Sequence, residues 1–185
     1  MRQRSRVLLR DISPVIIDLG GGGVRFSNAE AGALFSLAGA APRRRVAWPL
    51  SPENAWLVWD RSGNGVIDDG RELFGTETPS RDGRVFANGF EALRELDENH
   101  DSVLDENDPA FAKLRVWSDE NRNGLSEPWE LRTLDSVGVV AIHLDVRESR
   151  RQDRWGNRFT YRAKVQMKNG QERFAYDVFP VSIAR

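Results

Sequence analysis

The sequence predicts an α+β fold, with β-strands at both ends of the chain and a helical, loop-rich centre. Residues 14–19 and 55–59 are short apolar runs rich in β-branched or aromatic side chains, which is typical of buried strands. From residue 140 onward, apolar and polar side chains alternate, as they do in a sheet with one buried face.

The first half of the chain continues this pattern. Four consecutive glycines, 20–23, end the first strand, and residues 24–27 are predicted to return as a second one. Residues 42–45 are predicted to be a loop. Apolar side chains at helical spacing then predict a helix over residues 89–97.

Two further helices are predicted in the centre. Pro109 suits the first turn of a helix capped by Asp108, and Pro128 suits the first turn of another, which Gly138 ends. The C-terminal part is β. Its strands are predicted over residues 140–146, 158–168 and 174–178, with a two-residue type I′ turn at Asn169-Gly170.

Length and composition indicate one domain. The 185 residues divide into an N-terminal β segment (1–59), a loop region (60–135) and a C-terminal β segment (136–185). The absence of cysteine excludes a disulfide scaffold, a Cys-ligated metal and a thiol nucleophile. Residues 51–135, which include the loop region, hold nine basic and twenty acidic residues, a net −11, although the whole chain carries only −1.

No apolar run approaches the roughly 18 residues that a membrane helix needs, so no membrane span is expected. Near the N-terminus, Arg10 and Asp11 interrupt the apolar stretch, and no secretory signal peptide is visible. Export from the cell would therefore use a non-classical or type I route, or the chain is part of a longer protein.

The acidic residues of the loop region recur at alternate positions beside Asn, Ser and Gly. A Ca²⁺ ion takes about six to eight oxygen ligands. A loop of about 12 residues supplies them from positions 1, 3, 5, 7, 9 and 12, with a backbone carbonyl at 7 and Gly at 6. Three segments fit this spacing, so the predicted cofactor is Ca²⁺.

The third loop, residues 119–130, fits best. Gly124 is at position 6, and the one departure is Ser126 at position 8, where an apolar residue is usual. The predicted ligands are Asp119, Asn121, Asn123, Leu125, Glu127 and Glu130.

The middle loop, residues 97–108, is weaker. Ser102 replaces Gly at position 6, which costs about 1 kcal/mol if φ must be positive. The acid at position 12 is Asp, one methylene shorter than Glu. The predicted ligands are Asp97, Asn99, Asp101, Val103, Asp105 and Asp108.

The first loop begins at Asp60 and has Arg71 at position 12, which cannot ligate a cation. Either Glu72 closes a loop of 13 residues, or the loop binds only weakly. The predicted ligands are Asp60, Ser62, Asn64, Val66, Asp68 and Glu72. One such loop alone is often an ordinary turn, but three of them favour metal binding.

No catalytic constellation is visible, so the protein is not expected to be an enzyme. His100 and His143 are isolated and expected at the surface, and no nucleophile-elbow, zinc-protease or phosphate-loop motif occurs. The four glycines precede a predicted strand rather than a helix, which disfavours a phosphate cradle.

The chain resembles the EF-hand-like calcium-binding modules of secreted bacterial hemolysin-type (RTX-associated) proteins. The matching stretches are WDRSGNGVIDDGRELFG, GFEALRELDENHDSVLDENDPAFAKLRVWSDENRNG and SEPWELRTLDSVGVVAIHLDV. The resemblance, from about Ser13 to Val146, implies an EF-hand-like centre, calcium binding and an extracellular location where Ca²⁺ drives folding.

Some related modules cut themselves at an Asp-Pro bond before the first strand, using the Asp side chain. The matching position here is Ser13-Pro14, so no self-cleavage is expected there. Asp108-Pro109 is interpreted as a helix start. In two upstream stretches where related modules repeat Asp and Gly, only Asp18 retains a carboxylate, and no metal is expected.

The alternative function is an interaction module for an anionic partner: acidic glycan, lipopolysaccharide or phosphate. Other domains of a larger secreted protein are further candidate partners, and nucleic acid is not expected. The plainer interpretation is a solvated sheet face. The basic residues of this C-terminal hairpin are Arg158, Arg162, Lys164 and Lys168, near Arg150, Arg151 and Arg154.

Overall fold

The computed structural model describes residues 12–183, which form twelve strands and one short α-helix. The helix, α1, is Gly89–Arg94, and single 3-10 turns lie at Gly70–Glu72, Phe111–Lys113 and Asp135–Val137. The strands are β1 (Val15–Asp18), β2 (Ala33–Phe35), β3 (Arg44–Val46), β4 (Asn54–Val58), β5 (Val103–Asp105), β6 (Arg115–Trp117), β7 (Leu131–Thr133), β8 (Val139–His143), β9 (Arg147–Gln152), β10 (Arg158–Met167), β11 (Glu172–Phe179) and β12 (Ser182–Ile183).

Nine of these strands form one curled antiparallel sheet. Its order is β5-β8-β10-β11-β1-β4-β6-β7. The ninth strand, β9, pairs with residues 158–162 of β10, and β8 pairs with residues 165–167 on the same edge of that strand. The other three form a small sheet in the order β12-β3-β2. The N-terminal strand β1 thus lies between the C-terminal β11 and β4, which joins the two ends of the chain.

The two continuous apolar runs form the centre of the large sheet and are buried on both faces. In β1, Val15 and Ile17 enter one core and Ile16 the other. In β4, Leu57 enters the first core and Trp56 the second. Burial on both faces explains why neither run alternates with polar residues.

The second core is aromatic. The indole of Trp48 packs 5.4 Å from both Trp56 and Trp117, measured between ring centroids, and Phe35 lies 5.5 Å from Trp48 and Trp117. Tilted and edge-on arrangements such as these are the favourable ones for aromatic pairs. This cluster joins the small sheet to the large one, because Phe35 belongs to β2 and Trp56 to β4.

The predicted α+β fold with a helical centre is wrong: the described chain is mostly β. The helix predicted over 89–97 is present only as α1, and the helices predicted at Pro109 and Pro128 are absent. Only a 3-10 turn follows Pro109, and its cap residue Ala110 makes no side-chain hydrogen bond. After Pro128 the chain enters β7, because Trp117 and Leu131 pair across β6 and β7.

The β elements also differ in detail from the prediction. Residues 24–27 form only one isolated bridge, Phe26 with Pro49, and part of the predicted loop at 42–45 belongs to β3. The hairpin between β10 and β11 is present, but its turn is not type I′. Gly170 has φ of 80°, whereas Asn169 does not adopt the positive φ that a type I′ turn requires at both positions.

The prediction that the N-terminal stretch, interrupted by Arg10 and Asp11, is not a secretory signal peptide concerns residues outside the described part of the chain. Within residues 12–183 no helix has the length and apolar character needed to cross a bilayer, in agreement with the sequence.

Replacing Ile17 with Ala should destabilise the protein strongly, because the side chain is fully buried in the centre of the first core. A loss of about 2–5 kcal/mol in the free energy of unfolding is expected from urea denaturation. The control is Val85→Ala, since that side chain is 81% exposed. Equal losses for the two variants would contradict the described core.

Candidate metal centre

The third loop is held together by the carboxylate at its end. Glu130 is fully buried, and its Oε1 accepts a hydrogen bond from the backbone N–H of Glu120 at 2.8 Å. Its Oε2 accepts from the backbone N–H of Glu127 and from the indole of Trp117, both at 3.3 Å. One carboxylate therefore binds residues near both ends of the loop and the strand that precedes it.

The middle loop has the same arrangement with a shorter acid. Asp108 is almost fully buried and accepts from the backbone N–H of Glu98 at 2.9 Å and of Asp105 at 3.1 Å. The prediction that Asp108 caps a helix is thus wrong, because its carboxylate accepts hydrogen bonds from the loop that precedes it. The shorter side chain is compatible with closing the loop.

In the first loop, Glu72 occupies the corresponding place. Its Oε1 accepts from the backbone N–H of Arg61 and Ser62, each at 3.0 Å, and its Oε2 from that of Asp68 at 2.8 Å. The side chain of Arg71 instead forms an ion pair with Asp69 at 2.7 Å. Of the two alternatives left by the sequence, the hydrogen bonds favour a 13-residue loop closed by Glu72.

The acid that begins each loop has a matching role. Asp119 accepts from the backbone N–H of Gly124 at 2.8 Å, and Asp97 from that of Ser102 at 3.0 Å. Asp60 accepts from that of Gly65 at 2.7 Å. The side chains at positions 3 and 5 cap the next turn in each loop; the acceptors are Ser62, Asn64, Asn99, Asp101, Asn121 and Asn123.

Backbone conformation repeats as well. Position 6 is left-handed in all three loops, with φ of 82° at Gly65, 65° at Ser102 and 74° at Gly124. Position 4 is left-handed too, at Gly63, His100 and Arg122. In residues 12–183, the non-glycine residues with positive φ are His100, Ser102 and Arg122, and all three lie at these loop positions.

The first and third loops touch each other. The hydroxyl of Ser126 accepts a hydrogen bond from the backbone N–H of Ile67 at 2.7 Å, and both residues are buried. Each residue occupies position 8 of its loop. The serine that departs from the expected apolar pattern therefore joins two loops that lie far apart in the sequence.

Trp48 forms a further contact with the third loop, which the sequence did not predict. Its indole N–H donates to Oδ2 of Asp119 at 2.7 Å, and this ring belongs to the aromatic core. A separation of 71 residues hides the pair from any local pattern. The third loop is thus fixed directly to the second core.

The acids of the third loop are electrostatically unfavourable in the protein alone. Burial raises the pKa of Asp119 and of Glu130 above their ordinary values. The Glu127 carboxyl adjoins that of Glu130, and the hydrogen bond that the Asn123 side chain donates to Glu127 Oε1 lowers its pKa. Glu127 Oε2 is buried and has no hydrogen-bond donor. Two adjoining carboxylates cannot both be charged at low cost unless a cation lies beside them.

The acidic side chains of the loops are not clustered as they are in a preformed metal site. Within residues 12–183, no three Asp, Glu, His or Cys side chains are grouped so that they could hold a metal ion. A cation in one of these loops would thus need amide and backbone oxygens besides its acids. The loops are also not flanked by paired helices: β4 precedes the first and β6 the third. The EF-hand-like arrangement predicted from the sequence is therefore wrong.

The remaining predicted positions have structural roles. Asp18 accepts from the backbone N–H of Gly21 at 3.0 Å and of Gly23 at 2.7 Å, so its own carboxylate fills the glycine-rich turn. His100 is exposed. Ser13 is buried just before β1, and its backbone carbonyl accepts from Thr76 N–H at 3.1 Å.

Several basic side chains of the C-terminal hairpin have partners. Lys164 pairs with Glu172 at 2.9 Å, and Lys168 with Asp135 at 3.6 Å. Four guanidinium groups lie over aromatic rings, those of Arg151, Arg154, Arg158 and Arg162. Much of this charge is consequently engaged within the protein.

Ser102→Gly should stabilise the protein, because a side chain in the left-handed region costs about 1 kcal/mol relative to Gly. An increase of about that size is expected in the free energy of unfolding. Gly65→Ala is the matched opposite, since φ there is 82° and nothing lies within 4 Å of the added methyl group. It should destabilise by a similar amount, and a neutral result for both variants would contradict the left-handed turns.

Without divalent cations, the contribution of Asp119 to stability should fall as the pH rises above about 4, the ordinary Asp pKa. The folded state retains the Asp119 proton to higher pH than the unfolded chain does, because burial raises the pKa of Asp119, so deprotonation favours unfolding. Asp119→Asn removes this contribution. The stability of the variant relative to the wild type should therefore increase with pH in chelator, whereas exposed Asp145→Asn should show no such trend.

Two comparisons place the chain among known proteins. The family model described as SPM domain matches residues 15–180. The iron-regulated protein FrpA of Neisseria meningitidis serogroup C is 42% identical over 133 residues, which is 71% of this chain. The chain spans only 12% of the length of that relative.

These comparisons also correct the family inferred from the sequence. Neither supports an EF-hand-like module of hemolysin-type or RTX-associated proteins, and the mostly β fold with one short helix disagrees with it. The family model instead covers nearly all of the described residues, from β1 to the end of β11. The chain belongs to the SPM domain family.

Proposed function

We propose that this protein is a calcium-binding structural module in which the three loops bind Ca²⁺ and thereby complete the fold. The observation that carries the proposal is the adjoining pair of carboxyl groups at Glu127 and Glu130. Glu127 Oε2 is buried without a hydrogen-bond donor, and burial raises the pKa of Glu130. A cation between them would remove both costs.

The type of oxygen donor favours Ca²⁺ over other metals. Each loop offers carboxylate and carbonyl oxygens but no sulfur. The single histidine in the three loops is His100 of the middle loop, which is exposed. Hard oxygen ligands of mixed kind suit Ca²⁺, which tolerates irregular geometry, better than Mg²⁺, which requires a near-octahedral site. The repeated hydrogen-bond scheme in the three loops supports one ion per loop.

Charge gives the ion a structural role. Residues 51–135 carry a net −11, and three Ca²⁺ ions would reduce it to −5. Because a ligand that binds only the folded state stabilises that state, calcium should raise the stability of the chain. The loops connect strands of the large sheet, so the effect should reach both cores.

The third loop should bind most strongly. It combines Gly124 at position 6 with a closing Glu, whereas the middle loop has strained Ser102 and a shorter acid. Affinities in the range of extracellular modules, about 10⁻⁴–10⁻³ M, fit loops with few carboxylates. Such affinities are useful outside the cell, and we place the protein there. We assign it no enzymatic activity.

Titration calorimetry on chelator-stripped protein tests the proposal. Calcium should bind at two or three sites, and added Mg²⁺ should change the isotherm little. Glu130→Gln should abolish the strongest site or weaken it about tenfold or more, since it removes one buried charge from the loop. Thermal unfolding of the same samples should shift upward with calcium.

Glu120→Gln is the matched control. Glu120 lies in the same loop but is exposed, and only its backbone N–H contacts Glu130. This variant should bind calcium like the wild type. An absence of binding in wild-type protein with native circular dichroism would refute the proposal, and equal isotherms for wild type and Glu130→Gln would refute the ranking of the loops.

A further inference from the structure

The exposed half of the large sheet carries a row of side chains that the calcium loops do not use. The register places Arg147 of β9 directly opposite Arg162 of β10, and Arg162 opposite Tyr176 of β11. Directly opposed residues share a face of the sheet. Both arginines are exposed and Tyr176 is half-buried, so the row faces solvent.

The two arginines form an unfavourable pair in the protein alone. Like charges directly opposite each other across two strands are destabilising. Neither Arg147 nor Arg162 forms an ion pair with any acid in the described part of the chain. The nearby Glu172 is engaged by Lys164 at 2.9 Å, and Glu148 lies on the opposite face of β9 from Arg147.

Aromatic rings fix one of these charges and add apolar surface. The guanidinium of Arg162 lies 5.2 Å above the ring of Phe174, which holds it by a cation–π contact. Phe174 and Tyr176 are both half-buried, with ring centroids 6.4 Å apart. The face therefore combines oriented guanidinium groups with accessible aromatic surface.

We propose that this face, formed by Arg147, Arg162, Phe174 and Tyr176, binds an acidic polysaccharide that carries carboxylate groups. Each guanidinium can hold a carboxylate through two parallel hydrogen bonds. Between the charged groups, the apolar faces of the sugar rings would pack on Phe174 and Tyr176. An anion between the arginines would also remove their mutual repulsion.

Two observations favour this partner over other polyanions. Nucleic acid carries a charge every few ångströms, and the net −11 of residues 51–135 would repel it, whereas a sparsely charged sugar chain is repelled less. A membrane surface is disfavoured because the exposed large apolar side chains lie outside β9–β11; they are Leu50, Val66, Val85, Leu125 and Trp129.

The probe is a hyaluronan hexasaccharide, which has a carboxylate on every second sugar, and the neutral control is maltohexaose. Binding is measured by calorimetry at low ionic strength, once with calcium and once with chelator. The hexasaccharide should bind in both conditions and more weakly as salt increases, and maltohexaose should not bind. Arg147→Gln with Arg162→Gln should weaken binding about tenfold or more.

Arg81→Gln is the matched control, because Arg81 is exposed and lies outside this face. It should bind like the wild type, and a cooperative thermal unfolding at a temperature no lower than that of the wild type would show that the double variant is folded. Equal binding by the double variant, or binding that requires calcium, would overturn the proposal. Preference for a single-stranded oligonucleotide or for anionic vesicles over the hexasaccharide would overturn it in favour of those partners.

Discussion

Each of the three loops depends on one buried carboxylate at its end. Glu72, Asp108 and Glu130 accept hydrogen bonds from backbone N–H groups at both ends of their loops, and without these carboxylates the N–H groups would lose their acceptors. The same groups bring negative charge into places that water barely reaches. The structure therefore combines a necessary hydrogen-bond acceptor with an unfavourable charge, and the proposed cation would resolve that conflict.

The loops do not act in isolation from the cores. Trp48 donates to Asp119 from within the aromatic cluster, and Ser126 joins the third loop to Ile67 in the first. The middle loop contributes β5, which pairs with β8 at the edge of the large sheet. An ion bound in any loop would therefore act on packed elements, which would couple ion binding to stability.

Charge is distributed unevenly over the molecule. The acids concentrate in the loop region, and the basic residues concentrate on the C-terminal strands. Many of those basic side chains are satisfied by ion pairs or aromatic rings, yet Arg147 and Arg162 face each other without an acid. The two regions differ in chemistry, so a single chain can present separate surfaces to a cation and to an anionic polymer.

Local patterns determined several features correctly. The runs around Ile16 and Trp56 are strands because β-branched and aromatic side chains suit a buried sheet, and alternation predicted β8, β10 and β11. The ligand spacing identified three loops whose first and last acids have the same roles in the structure. Ser102 at position 6 also adopts the positive φ that the spacing requires.

The sequence alone did not determine the helices, the family or the contacts between loops. The Pro128 signal predicted a helix, but pairing of Leu131 with Trp117 placed that segment in the sheet, because tertiary burial outweighs weak local propensity. The hydrogen bonds from Trp48 and to Ser126 join residues far apart in the chain, and no local pattern encodes them. What the sequence determined by itself was the local chemistry of strands and loops; tertiary packing decided which of these segments meet.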